Sequence, residues 1–130
     1  MRPLDAFDLP EWLGEDEVTW TSAEAIRSGA SIGGVLLGPG DAQEPCDLLA
    51  VDLAFPAPVV TDEIRTAAHQ AWQHGQVLLL EASGRLTLAV PGTCFDADLV
   101  LDTLTRLAKA VGAAPTAYAV RLRLGGAEAR

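Results

Sequence analysis

The sequence is short of lysine, of aromatic rings and of long apolar runs. Lys109 is the one lysine among nine basic residues, against eighteen acids and a formal charge of −9. With an isoelectric point near 4.4, such a chain has few cations to set against phosphates. That argues against a nucleic-acid partner and against docking on anionic lipid. No run approaches the roughly 18 apolar residues that span a bilayer. The opening MRPLDAFDLPEW lacks the apolar stretch of a signal peptide. Cys46 and Cys94 stand 48 positions apart, which is neither a CxxC redox pair nor a zinc spacing. The expectation is a cytoplasmic protein with reduced thiols, no membrane partner and no cofactor.

What is present points to one folded domain. At 130 residues with 49% hydrophobic side chains, the chain can bury a core without disulfides or metal. The acid is uneven: residues 1–24 hold seven acids and one base, a net of −6 out of −9. The expected organisation is an acidic aromatic N-terminal arm (1–24), a single α+β domain (25–126) and a frayed tail (127–130). Phe7 and Trp12 are the arm's anchors, either onto its own domain or onto another protein.

Patterning predicts the elements. Thr21 with Glu24 has the spacing of a capping box, opening a short helix to Ser28. Ser31–Leu37 reads as a strand, Gly38–Pro45 as a turn region. Asp47–Phe55 alternates as a strand ended by Pro56–Pro58. Thr61–His74 reads as a helix with an acidic first turn, stopped by Gly75. Val77–Ala82 and Arg85–Val90 form a hairpin around Ser83-Gly84, with Leu79 facing Leu88. Asp96 or Ala97 to Val111 forms a second helix on a stripe of Val100, Leu101, Leu104, Leu107, Ala108 and Val111. Tyr118–Leu124 is a last strand. The fold class is therefore α+β, ordered ββαββαβ: a largely antiparallel sheet of about five strands with two main helices on one face. The hairpin is apolar on both faces, so its second face needs a cover, either the arm or a second subunit.

No residue set is convincingly catalytic. His69 and His74 lie about 140° apart around a helix, which rules out chelation of one ion from an unbroken helix. His74, just before Gly75, is favoured there by the helix dipole without any chemistry. His69, beside the apolar stripe and three residues before Trp72, reads as a rim histidine. Cys94 sits where a helix dipole lowers a thiol pKa, but Asp96 and Asp98 oppose thiolate formation. Asp52 falls on a strand face read as solvated. Gly29–Gly33, GASIG, matches the nucleophile pattern around Ser31, but the motif needs a strand before the serine and a helix after it, the reverse of this context. Arg121 and Arg123 form a basic strip suited to an acidic segment. The first reading is a non-enzymatic interaction module that self-associates as a homodimer, with a possible further protein partner through the arm. The second is a small-ligand binder or enzyme with a pocket around His69, Trp72, His74 and Cys94.

Overall fold

The computed structural model describes residues 1–22, 30–52, 60–124 and 127–128. In chain order its elements are β1 (Arg2–Pro3), a 3-10 turn (Ala6–Asp8), α1 (Trp12–Glu15), β2 (Val18–Ser22), β3 (Ser31–Ile32), β4 (Gly34–Leu37) and β5 (Gln43–Ala50). There follow α2 (Asp62–Gln73), β6 (Leu78–Ala82), β7 (Arg85–Val90), α3 (Ala97–Ala110), a second 3-10 turn (Pro115–Ala117), β8 (Tyr118–Leu124) and β9 (Ala127–Glu128). The fold is α+β around a mixed sheet. Its order is β1-β6-β7-β5-β4-β2-β8-β9, eight strands on one path, with β3 pairing β5 off it. The β5–β7 and β2–β8 pairings are parallel; the rest are antiparallel.

Local chemistry accounts for the best-read elements. The Thr61 hydroxyl accepts the Ile64 amide at 3.3 Å, capping α2, and Gly75 takes the left-handed φ of +77° that stops it. Asp96 caps α3 by accepting the Leu99 amide at 2.8 Å, and Gly112 at φ +78° ends it. Ser83 and Gly84 both have positive φ, 53° and 75°. This is the type I′ geometry that matches strand twist in a two-residue hairpin. It sets the Leu79↔Leu88 register of β6 and β7.

The two faces of that hairpin build two clusters. Leu79 and Leu88, with Leu48 of β5, pack against Val100, Leu104 and Leu107 of α3. Leu80 and Ala89, with Leu49 of β5, pack against Ala68 and Ile64 of α2. The main helices thus cover opposite faces, which corrects the expectation that both lie on one. The reason is in β6 itself: Leu78 and Leu80 alternate with Leu79, so each side of the strand demands an apolar partner. Both partners come from within the chain.

Further corrections concern the N-terminal half. The sheet exceeds the expected five strands because the presumed arm and tail contribute strands of their own. Thr21 and Ser22 close β2 instead of capping a helix; the rest of that predicted helix, to Ser28, lies outside the described residues. Within 1–24, Trp20 is fully buried, and its indole N–H donates to the Cys46 carbonyl at 2.9 Å. A Cβ on Gly34 would clash with the Trp20 indole, so the glycine there is a packing requirement. The strand placed at Asp47–Phe55 begins earlier, at Gln43, and turns at Val51 and Asp52; residues 53–59, with Pro56–Pro58, lie outside the described set. Ser31–Leu37 is a strand as expected, interrupted at Gly33. At that break the Asp47 carboxylate accepts the Gly34 amide at 3.1 Å and two bonds from Arg85, at 2.8 and 2.9 Å. On α3, Leu101 is 51% exposed while Thr103 is buried in the helix's inner face. Of the tail expected to fray, Ala127–Glu128 pairs with β8.

Candidate functional site

The residues singled out from sequence are not gathered at one place. His69 lines a shallow cleft of about 420 Å³ with Arg65 and Gln73. His74 lines a different cleft of about 550 Å³ with Arg106 and Lys109. Trp72 lies under the Arg106 guanidinium, 3.4 Å from ring centre to carbon. Cys94 is exposed in the turn before α3. Arg121 is exposed on β8; the Arg123 side chain lies outside the described residues. Among the described residues, no group of three or more His, Cys, Asp and Glu side chains could hold a metal ion. No helix there is long and apolar enough to cross a membrane.

The polar centre missed by the sequence reading is Asp52. It was assigned to a solvated face, yet its side chain is only 18% exposed. Its carboxylate accepts from Arg65 Nε at 2.7 Å, from the Gly92 amide at 2.7 Å and from His69 Nε2 at 2.9 and 3.0 Å. Its own amide donates to the Gly92 carbonyl at 2.8 Å. Arg65 and His69 are four apart on α2, so both lie on one helix face. Asp52 therefore ties the end of β5 to α2 and to the turn after β7. Partial burial pushes its carboxyl up; the bonds from His69, the Gly92 amide and Arg65 more than offset this, lowering it from 3.8 to about 2. An ionised carboxylate only accepts, so His69 Nε2 donates to Asp52 in this contact.

The thiols divide cleanly. Cys46 is fully buried, and burial, reinforced by Asp47 and Glu44, drives its pKa far up. It is therefore no nucleophile. Cys94 is exposed. The phenol of Tyr118 donates to the Leu13 carbonyl at 2.6 Å.

The N-terminal aromatics part company. Trp12 is half-buried against the α3-side core, and its ring occupies the space a Cβ on Gly38 would need. Phe7 is 96% exposed. It stands on a 3-10 turn closed by a reciprocal cap. The Phe7 amide donates to Asp5 Oδ1 at 3.0 Å, and the Asp5 amide donates to Asp8 Oδ2 at 3.1 Å. The turn lies between two clefts: the one at His74, and another of about 420 Å³ shared with Glu11, Glu15 and Val111. No family model, curated protein or solved structure matches the chain.

Proposed function

We propose that the protein is a non-enzymatic interaction module that pairs with a second copy of itself. The observation that supports this reading is Phe7: a large aromatic ring held almost wholly in water on a turn with a fixed backbone. Burying such a ring is worth about 2–3 kcal/mol, and a pre-ordered support keeps little of that from being lost to ordering on binding. The apolar second face of the hairpin no longer supports pairing, because α2 covers it. Reduced thiols in a cytoplasmic setting belong to the same reading. Light scattering after size exclusion, on the full chain over a concentration series, tests it. A mass that stays at 13.6 kDa at the highest concentration reached refutes self-association.

A second reading, a small-ligand binder or enzyme, draws on the carboxylate-oriented imidazole of Asp52 and His69. That pairing is the arrangement by which a histidine is held for general-base work. It requires His69→Gln to abolish ligand binding or turnover while leaving the association state unchanged. The converse result, loss of association only with changes at Phe7, favours the first reading.

A further inference from the structure

Two clefts flank the Phe7 turn, and their charges differ. One carries the carboxylates of Glu11 and Glu15 on its rim. The other, of about 550 Å³, has an apolar floor including Leu4, Ala71 and Val77, and a rim carrying Arg106, Lys109 and His74. In a chain with nine bases against eighteen acids, this lining holds two cations, Arg106 and Lys109, against one acid, Asp5, which suits it to an acidic visitor. Arg106 is fixed in place. It donates to the Trp72 and Gln76 carbonyls at 2.9 and 3.0 Å, pairs with Asp102 at 3.1 Å and stacks on Trp72. At 16% side-chain exposure and paired with Asp102, it is a rigid wall of the hollow, and the exposed cation there is Lys109. Lys109 is exposed in the last turn of α3.

The Phe7 turn is the matching shape and sign. Phe7 stands in the chain between Asp5 and Asp8, all three exposed, and both carboxylates are held in the reciprocal cap. Phe7 is 96% exposed and does not line the hollow beside it. Asp5 and Ala6 themselves line that hollow, so knob and hollow adjoin on a single patch. A patch that carries both halves of a complement is self-complementary, and such a surface closes as a two-fold dimer instead of running on as a filament.

Resting on the self-association proposed above, we infer that the Phe7 turn of each copy seats in the hollow rimmed by Arg106, Lys109 and His74 of the other. The other cleft, which Phe7 itself lines, carries Glu11 and Glu15 and, among the described residues, no cation, whereas in the hollow Arg106 and Lys109 outnumber Asp5. Like charges meeting across an interface oppose association, so the hollow is the favoured seat.

The test is sedimentation velocity on the full chain and on two surface variants, Phe7→Ala and Lys109→Glu, with circular dichroism as the check on folding. Neither side chain is buried, so both variants keep the fold. The expected result is a wild-type dimer whose dissociation constant rises by about 30-fold or more in Phe7→Ala, the size of a hot-spot loss. It rises by about tenfold in Lys109→Glu, and added salt weakens the wild-type dimer. A wild-type dimer indifferent to both substitutions overturns this seat and leaves self-association standing. Sensitivity to Phe7→Ala with indifference to Lys109→Glu also overturns it, placing the ring elsewhere. A wild-type monomer at every concentration overturns the seat and the self-association together.

Discussion

Replacing Asp52 by asparagine tests the polar centre most directly. Asparagine keeps the size of the side chain and can still accept the Gly92 amide, but it removes the charge that faces Arg65 and His69. Those two partners are 52% and 45% exposed, so water replaces the lost carboxylate and no buried charge is orphaned. The expected loss is then set by the carboxyl itself. A folded-state value of about 2 against an ordinary 3.8 corresponds to about 2 kcal/mol at neutral pH, at 1.36 kcal/mol per unit. The direction with pH follows from the sign. A depressed carboxyl stabilises fully above the unfolded value and ceases to as the pH falls through the folded one. The gap between wild type and Asp52→Asn is therefore constant down to about pH 5, about half gone at pH 3, and closed below pH 2. Urea unfolding followed by tryptophan fluorescence, to which the buried Trp20 contributes, measures it. Equal stability at neutral pH, or a gap that fails to narrow in acid, refutes the account of Asp52 as an anchored carboxylate.

Three further outcomes are expected. Leu80→Ala, at a fully buried position under α2, lowers unfolding stability by about 2–5 kcal/mol. Leu101→Ala, half exposed on α3, changes it by less than about 0.5; similar values for the two would deny that α2 covers the hairpin. Gly34→Ala forces Trp20 aside, with a loss of about 1–3 kcal/mol by overpacking and a red shift in the tryptophan emission. In native protein a disulfide reagent labels one thiol rapidly, at Cys94, and the second only on unfolding; peptide mapping that finds Cys46 labelled early contradicts its burial.

Residues whose partners are close in sequence were legible. α2 announced itself through Thr61 and Gly75, and the hairpin through Ser83-Gly84, because capping and turn chemistry act over a few residues. β5 was placed too late because Pro45 looked like turn chemistry. In the sheet Pro45 precedes the β5–β7 ladder, which starts at Cys46, so its missing amide takes no bond from it. β2 was lost to a competing local signal. Val18, Trp20 and Ser22 do alternate inward, but Thr21 and Glu24 also fit a capping box. The deciding partner is β8, whose Tyr118–Leu122 lies alongside Val18–Ser22 from the far end of the chain. Asp52 was read as solvated for the same reason. Arg65, His69 and Gly92 meet it only after α2 folds back over the sheet, and the one advance sign was the four-residue spacing of Arg65 and His69 on a helix face.

The N-terminal segment is both core and surface, and this decides how its role can be isolated. β1 pairs with β6 at one edge of the sheet, while β2 lies between β4 and β8 toward the other. Between them Leu9 and Leu13 are buried, and Tyr118 bonds the Leu13 carbonyl. A stretch held at both ends and in the middle presents Phe7 as a fixed feature of the fold. The exposed acids beside it, Asp5 and Asp8, are then fixed charges and not the diffuse charge of a free tail. Deleting residues 1–24 would remove Trp20 and two sheet strands, β1 and β2, so its effect would report on folding. A substitution at Phe7, which leaves every buried residue in place, is the change that separates the surface from the core beneath it.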